Sequence, residues 1–131
     1  MSKRAGLAIL AVFVIGSLLD FVLHGILLRS TYEATAYLWR PMKDMNLPLI
    51  YAVMLVFSVC FVAIYGLLVD NKSVWSGIKL GFLFGLTTGV SMGFGSYSYM
   101  PIPLTLAVSW CVGSLVEITI AGAIVGAIMR D

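Results

Sequence analysis

The chain has 131 residues, of which 61% are hydrophobic and 11% charged, and its mean hydropathy is +1.06. Soluble domains hold about 45–50% apolar and about 25% charged residues, so these values exclude that class and point to a membrane protein. A net charge of +2 excludes the basic surface that a nucleic-acid partner needs, and residues 1–131 fit one integral membrane domain.

The first apolar run covers residues 6–28. Lys3 and Arg4 ahead of it, with Ala34-Thr35-Ala36 beyond, also suit a secretory signal peptide. The run has the roughly 20 residues needed to span a bilayer rather than the about 7–15 of a signal core, so an uncleaved first helix is expected. Three more runs follow at 47–69, 74–95 and 103–129. At 1.5 Å per residue each covers roughly 30 Å, the thickness of the hydrocarbon core. The expected fold is all-α, a bundle of four transmembrane helices, because helices satisfy their own backbone groups in lipid.

Lys3, Arg4, Lys72, Lys79 and Arg130 fall on one side of the four spans, and Arg29, Arg40 and Lys43 on the other. That bias favours both termini in the cytoplasm, with Trp75 and Trp39 marking the two interfaces, and the expected location is a prokaryotic inner membrane.

The loop 29–46 is the only sizeable extramembrane segment. Ser30-Thr31-Tyr32-Glu33 fits a capping box, which predicts a short interfacial helix that Pro41 stops. On that helix Tyr32 and Trp39 share a face, and Arg29, Tyr32, Trp39 and Arg40 would form a docking surface. The segment Asp70-Asn71-Lys72-Ser73 is a tight turn, which makes the second and third helices antiparallel neighbours.

The start of the second span, from Met45 to Val53, matches the start of the fourth, from Met100 to Val108, with Met, Pro, Leu, Ala and Val in register. This is either a parallel repeat of a two-helix hairpin or the common look of helix starts in lipid.

Gly77, Gly81, Gly85, Gly89 and Gly93 recur every fourth residue along the third span, so they line one face. Without a hydrophobic force between helices in lipid, such a face allows close backbone packing. Gly113, Gly122 and Gly126 on the fourth span are its candidate partners within the chain. A second copy of the protein, or a lipid or pigment tail, could use the same groove.

An ionisable residue inside a span costs about 2.5–3.5 kcal/mol on insertion scales. Three are present: Asp20 and His24 on the first span, at i and i+4 and hence on one face, and Glu117 on the fourth. Asp20 lies about 21 Å and Glu117 about 18 Å from the cytoplasmic ends, and Ser58, Thr87 and Thr88 fall near the same level. A polar midplane is expected. It would serve as interhelical hydrogen bonding, as a proton or cation site, or, through His24, as an axial ligand to a haem or chlorophyll. No other cofactor is required by the residues present. Cys60 and Cys111 lie at about 13 and 27 Å depth, too far apart for a disulfide.

Phosphate-binding glycine loops, dinucleotide fingerprints, H-E-x-x-H and C-x-x-C are all missing, which speaks against an enzyme of soluble substrates. Gly16, Asp20, His24-Gly25, Tyr32 and Trp39-Arg40-Pro41, with Trp110, Glu117 and Gly122, resemble the pattern of small uncharacterised prokaryotic membrane proteins of four helices. The resemblance implies the four-helix fold and no chemistry. The expectations for function are a structural or accessory subunit that self-associates or joins a larger membrane complex, a small proton- or cation-coupled transporter or channel, and a pigment-binding subunit.

Overall fold

A computed structural model describes residues 2–131. Among them every regular element is helical, and four helices, Lys3–Leu27, Leu47–Leu68, Val74–Tyr97 and Leu104–Met129, are long and apolar enough to cross a membrane. The chain is therefore consistent with a multi-pass membrane protein.

Helix α1 (Lys3–Asp20) starts where the Ser2 side chain accepts from the Ala5 amide, and it continues without a break into a π-helical segment, Phe21–Leu27. The amide of Leu28 bonds the Leu23 carbonyl, five residues back, at 2.9 Å. Helix α2 (Arg29–Ala34) follows at once. Its expected capping box is not formed. Because the helical backbone runs on through Leu28, the Tyr32 amide already has the Leu28 carbonyl at 2.9 Å, and Glu33 turns to Arg29 Nε at 3.1 Å. Short 3₁₀ turns at Ala36–Leu38 and Met42–Asp44 lead to α3 (Leu47–Leu68), which the Asn46 side chain caps at the Leu49 amide. Helix α4 (Val74–Tyr97) begins with a reciprocal cap between Ser73 and Ser76, and α5 (Leu104–Met129) follows Pro103.

The helices pack in the order α3, α1, α5, α4, with the closest approach between α4 and α5. The tight turn after α3 does make α3 and α4 sequential, but their backbones diverge. Their contact runs through side chains, with the Phe57 and Phe61 rings 6.0 and 5.7 Å from Phe84 and the Tyr65 hydroxyl donating to the Ser73 carbonyl at 2.9 Å.

Two cores result. One, at the end holding both chain termini, joins Ala8, Val12, Phe61, Val62, Tyr65, Ala121 and Val125 from α1, α3 and α5. The other, at the end holding the 29–46 loop, joins Leu28, Ile102, Leu106 and Ala107, with Tyr32, Trp39 and Trp110 against them. At the termini end Arg4 donates to the Arg130 carbonyl at 2.9 Å, and Asp131 and Lys72 exchange two bonds at 3.3 Å. The aliphatic face of α3 near the loop, including Ile50, Val53 and Val56, is half or more exposed among the described residues.

Candidate functional site

The polar residues of the spans meet where α1, the π segment, α2 and α5 converge. The last turn of α1 carries Asp20 and the π segment carries His24, whose Nε2 lies 3.9 Å from Asp20 Oδ1. His24 Nδ1 lies 2.6 Å from the Tyr32 hydroxyl on α2, and Trp110 Nε1 of α5 donates to that same hydroxyl at 2.7 Å. One helical turn pair further along α5, Glu117 faces Asp20 within hydrogen-bonding reach. The ordered set Glu117, Asp20, His24, Tyr32, Trp110 thus runs from mid-span to the loop end.

Its hydrogen-bond directions follow from the donor inventory. Trp110 only donates, so the Tyr32 oxygen accepts from it and has its own proton free for His24 Nδ1. A neutral His24 then carries its proton on Nε2, toward Asp20. A bond between the two carboxyl groups in turn requires one proton between them. His24 Nδ1 is held by Tyr32, so ligation of a haem or chlorophyll would fall to Nε2, which lies 3.9 Å from Asp20 Oδ1.

Aromatic packing fixes the loop end. The Tyr32 and Trp39 rings stand edge to face at 5.6 Å, and Trp39 and Trp110 at 5.9 Å. Trp39 Nε1 donates to Thr35 Oγ1 at 2.9 Å, and Thr35 donates to the Thr31 carbonyl. Mid-span, Glu117 Oε1 and Ser17 Oγ are buried without a hydrogen-bond partner among the described residues. The side chains of His24 and Asp20 stay 44% and 35% exposed to the surface of the bundle.

The polar midplane expected from depth alone is not assembled as one layer. Ser58, Thr87 and Thr88 donate to the carbonyls of Met54, Leu83 and Phe84, one turn back in their own helices, and so are satisfied without crossing to Asp20 or Glu117.

The docking surface is also divided. Arg29 and Arg40 are exposed, with Arg29 held by Glu33, while Tyr32 and Trp39 turn inward onto α5. Gly77, Gly81, Gly85, Gly89 and Gly93 are all buried against α5. Gly122 faces Gly77 and Gly81, and Gly126 faces Ser73 and Val74, but Gly113 turns to Leu23 on the first helix. The groove is filled from within the chain, which leaves no glycine face for a second copy or a lipid tail. Both cysteines are unpaired.

Trp110 as a hydrogen-bond donor, Thr35 and the π segment were not expected from sequence. A signal existed for the first: Trp110 and Glu117 are seven residues apart and share a face of α5.

Tyr32 lies beyond the spans and has a testable ionisation. Burial pushes its phenol above the ordinary value of 10; the Trp110 hydrogen bond opposes this, and the negative charge of Asp20 adds to it. The neutral phenol is the form favoured by folding, so its contribution persists below pH 10 and is lost as pH rises through the raised value. Ultraviolet difference titration of wild type against Y32F is expected to place Tyr32 above the exposed tyrosines, and higher still in W110F. An ordinary value would mean that the buried hydrogen-bonded setting does not exist in solution.

No family model, curated protein or solved structure matches the chain.

Proposed function

We propose that the chain is a small proton-coupled membrane transporter or channel in which Asp20, Glu117 and His24 hold a proton and exchange it with the loop end through Tyr32. The observation that carries this reading is the ordered polar set from Glu117 to Tyr32 inside an otherwise apolar bundle. Ionisable groups at that depth are costly, and they mark proton relays when they converge. The 3.9 Å gap between Asp20 and His24 is closed by a side-chain rotation, whereas the core of Phe61, Tyr65 and Val125 blocks passage to the termini end. The arrangement therefore suits a site open toward the loop end, with a rearrangement needed to release the proton at the other.

We place the termini, with Lys3, Arg4, Lys72 and Arg130, on the cytoplasmic side, following the excess of positive charge there. The hairpins α1–α3 and α4–α5 are read as two copies of one unit, joined through α1 and α5, and the matching segments at Met45 and Met100 support it.

The test is reconstitution into liposomes with an imposed pH gradient and an entrapped pH dye. Proton flux above empty vesicles is expected, and D20N/E117Q is expected to abolish it. Flux of the double variant equal to wild type would sink the reading.

The exposed aliphatic face of α3 favours a second reading, an accessory subunit or homo-oligomer that covers Ile50, Val53 and Val56. Stable co-purification in mild detergent, lost on placing a lysine at Val53, would support it.

A further inference from the structure

Beside the carboxyl pair, α1 with its π segment and α5 leave a groove of about 560 Å³, within the roughly 300–1,000 Å³ of small-molecule sites. Its walls are Leu19, Val22, Leu23, Val108 and Val112, and Glu117 is its one acidic lining residue. Because the groove opens on the side of the bundle, entry is from the lipid rather than through a central pore. Resting on the proton-site reading above, we infer that this groove binds an amphipathic organic cation, with its apolar groups on the Leu and Val walls and its positive charge against Glu117.

Charge complementarity selects this occupant. The groups facing the carboxyl pair are His24 from the π segment and, through it, Tyr32 from α2. Helix α3 holds no charged residue, and the one lysine of α4, Lys79, sits 5.5 Å above the Trp75 ring. Among the described residues no fixed cation faces the pair. A neutral lipid tail would satisfy the walls and leave Glu117 Oε1 without a partner, as it is in the chain alone. An organic cation fits the walls and takes the one negative charge left when the two carboxyls share a proton. A second proton taken up by the pair removes that charge, so cation and second proton compete, and cation binding releases the second proton to bulk water.

The probe pair is tetraphenylphosphonium and tetraphenylborate, alike in shape and opposite in charge, measured by equilibrium dialysis against the full-length protein in detergent. The cation is expected to bind saturably, with proton release in weak buffer, and more tightly than the anion by about tenfold or more. E117Q is expected to lose that preference. V112W, which fills the groove from an exposed position, is expected to lose the binding itself, and V90W on α4, away from the groove, is the control. Equal binding of the two ions, or cation binding indifferent to both E117Q and V112W, overturns the inference. Proton flux that depends on Asp20 and Glu117 without saturable cation binding removes the substrate assignment and leaves the proton site standing. Loss of that dependence removes the proton site itself.

Discussion

Gly89→Ala and Gly81→Ala are expected to be among the most destabilising single substitutions in the chain, while Gly95→Ala on the same helix is tolerated. A β-carbon at residue 89 would stand 2.6 Å from the Cys111 carbonyl oxygen and 3.2 Å from its Cα. One at residue 81 would strike the Ile118 carbonyl and lie 2.9 Å from the Thr119 Cα. These are backbone atoms of α5, which no rotamer change can move aside, so the two helices must separate. Overpacking alone costs about 1–3 kcal/mol, and separation also forfeits close packing along the rest of the glycine face. At Gly95 a β-carbon meets nothing within 4 Å. There the higher helix propensity of alanine acts alone, worth up to about 1 kcal/mol in favour of the variant. Thermal unfolding in detergent, followed by helical circular dichroism, is the measurement. Equal stability of the Gly89 and Gly95 variants would mean that α4 and α5 do not pack this closely in solution.

That pair of helices illustrates what could be read before the fold was known. Glycines every fourth residue specify a face, because four residues make slightly more than one 3.6-residue turn, and no tertiary information is needed to see it. Which surface fills the face was not legible, because Gly113 and Gly122 are equally small and only the rotation of α5 decides that one meets Leu23 and the other Gly77. The i, i+4 spacing of Asp20 and His24 likewise foretold a shared face, and they lie 3.9 Å apart.

Depth along the helix was a poorer guide. It grouped Ser58, Thr87 and Thr88 with the carboxyls because it ignores azimuth and the carbonyl one turn back, which a serine or threonine hydroxyl reaches without leaving its helix. The role of Tyr32 was hidden by the same kind of omission. The sequence of its loop suits a separate helix with its own cap, whereas the π segment carries the helix straight through Leu28 and brings the Tyr32 hydroxyl to His24. A π turn widens one turn of the helix by a residue, and no periodicity in the sequence marks it.

The carboxyl pair should reveal itself through a stability that rises when its charge is removed. D20N/E117Q is expected to unfold at higher temperature or denaturant than wild type, by about 1–3 kcal/mol, while carrying no proton flux. In the wild-type protein a bond between the facing carboxyls requires one shared proton and so leaves one negative charge inside a span, with Glu117 Oε1 unpartnered. An asparagine and a glutamine at these positions are neutral, and each amide can donate to the other's carbonyl. The charge and its desolvation disappear, and the hydrogen bond between α1 and α5 remains. The single variant E117Q should fall below the double, because it keeps the Asp20 carboxyl in the span with His24 beside it and no second carboxyl to bond. If the pair were instead a structural tie, the double variant, which keeps the bond, would be no more stable than wild type. The order of the three unfolding midpoints in one detergent therefore separates a site maintained for proton chemistry from one maintained for packing, independently of any flux assay.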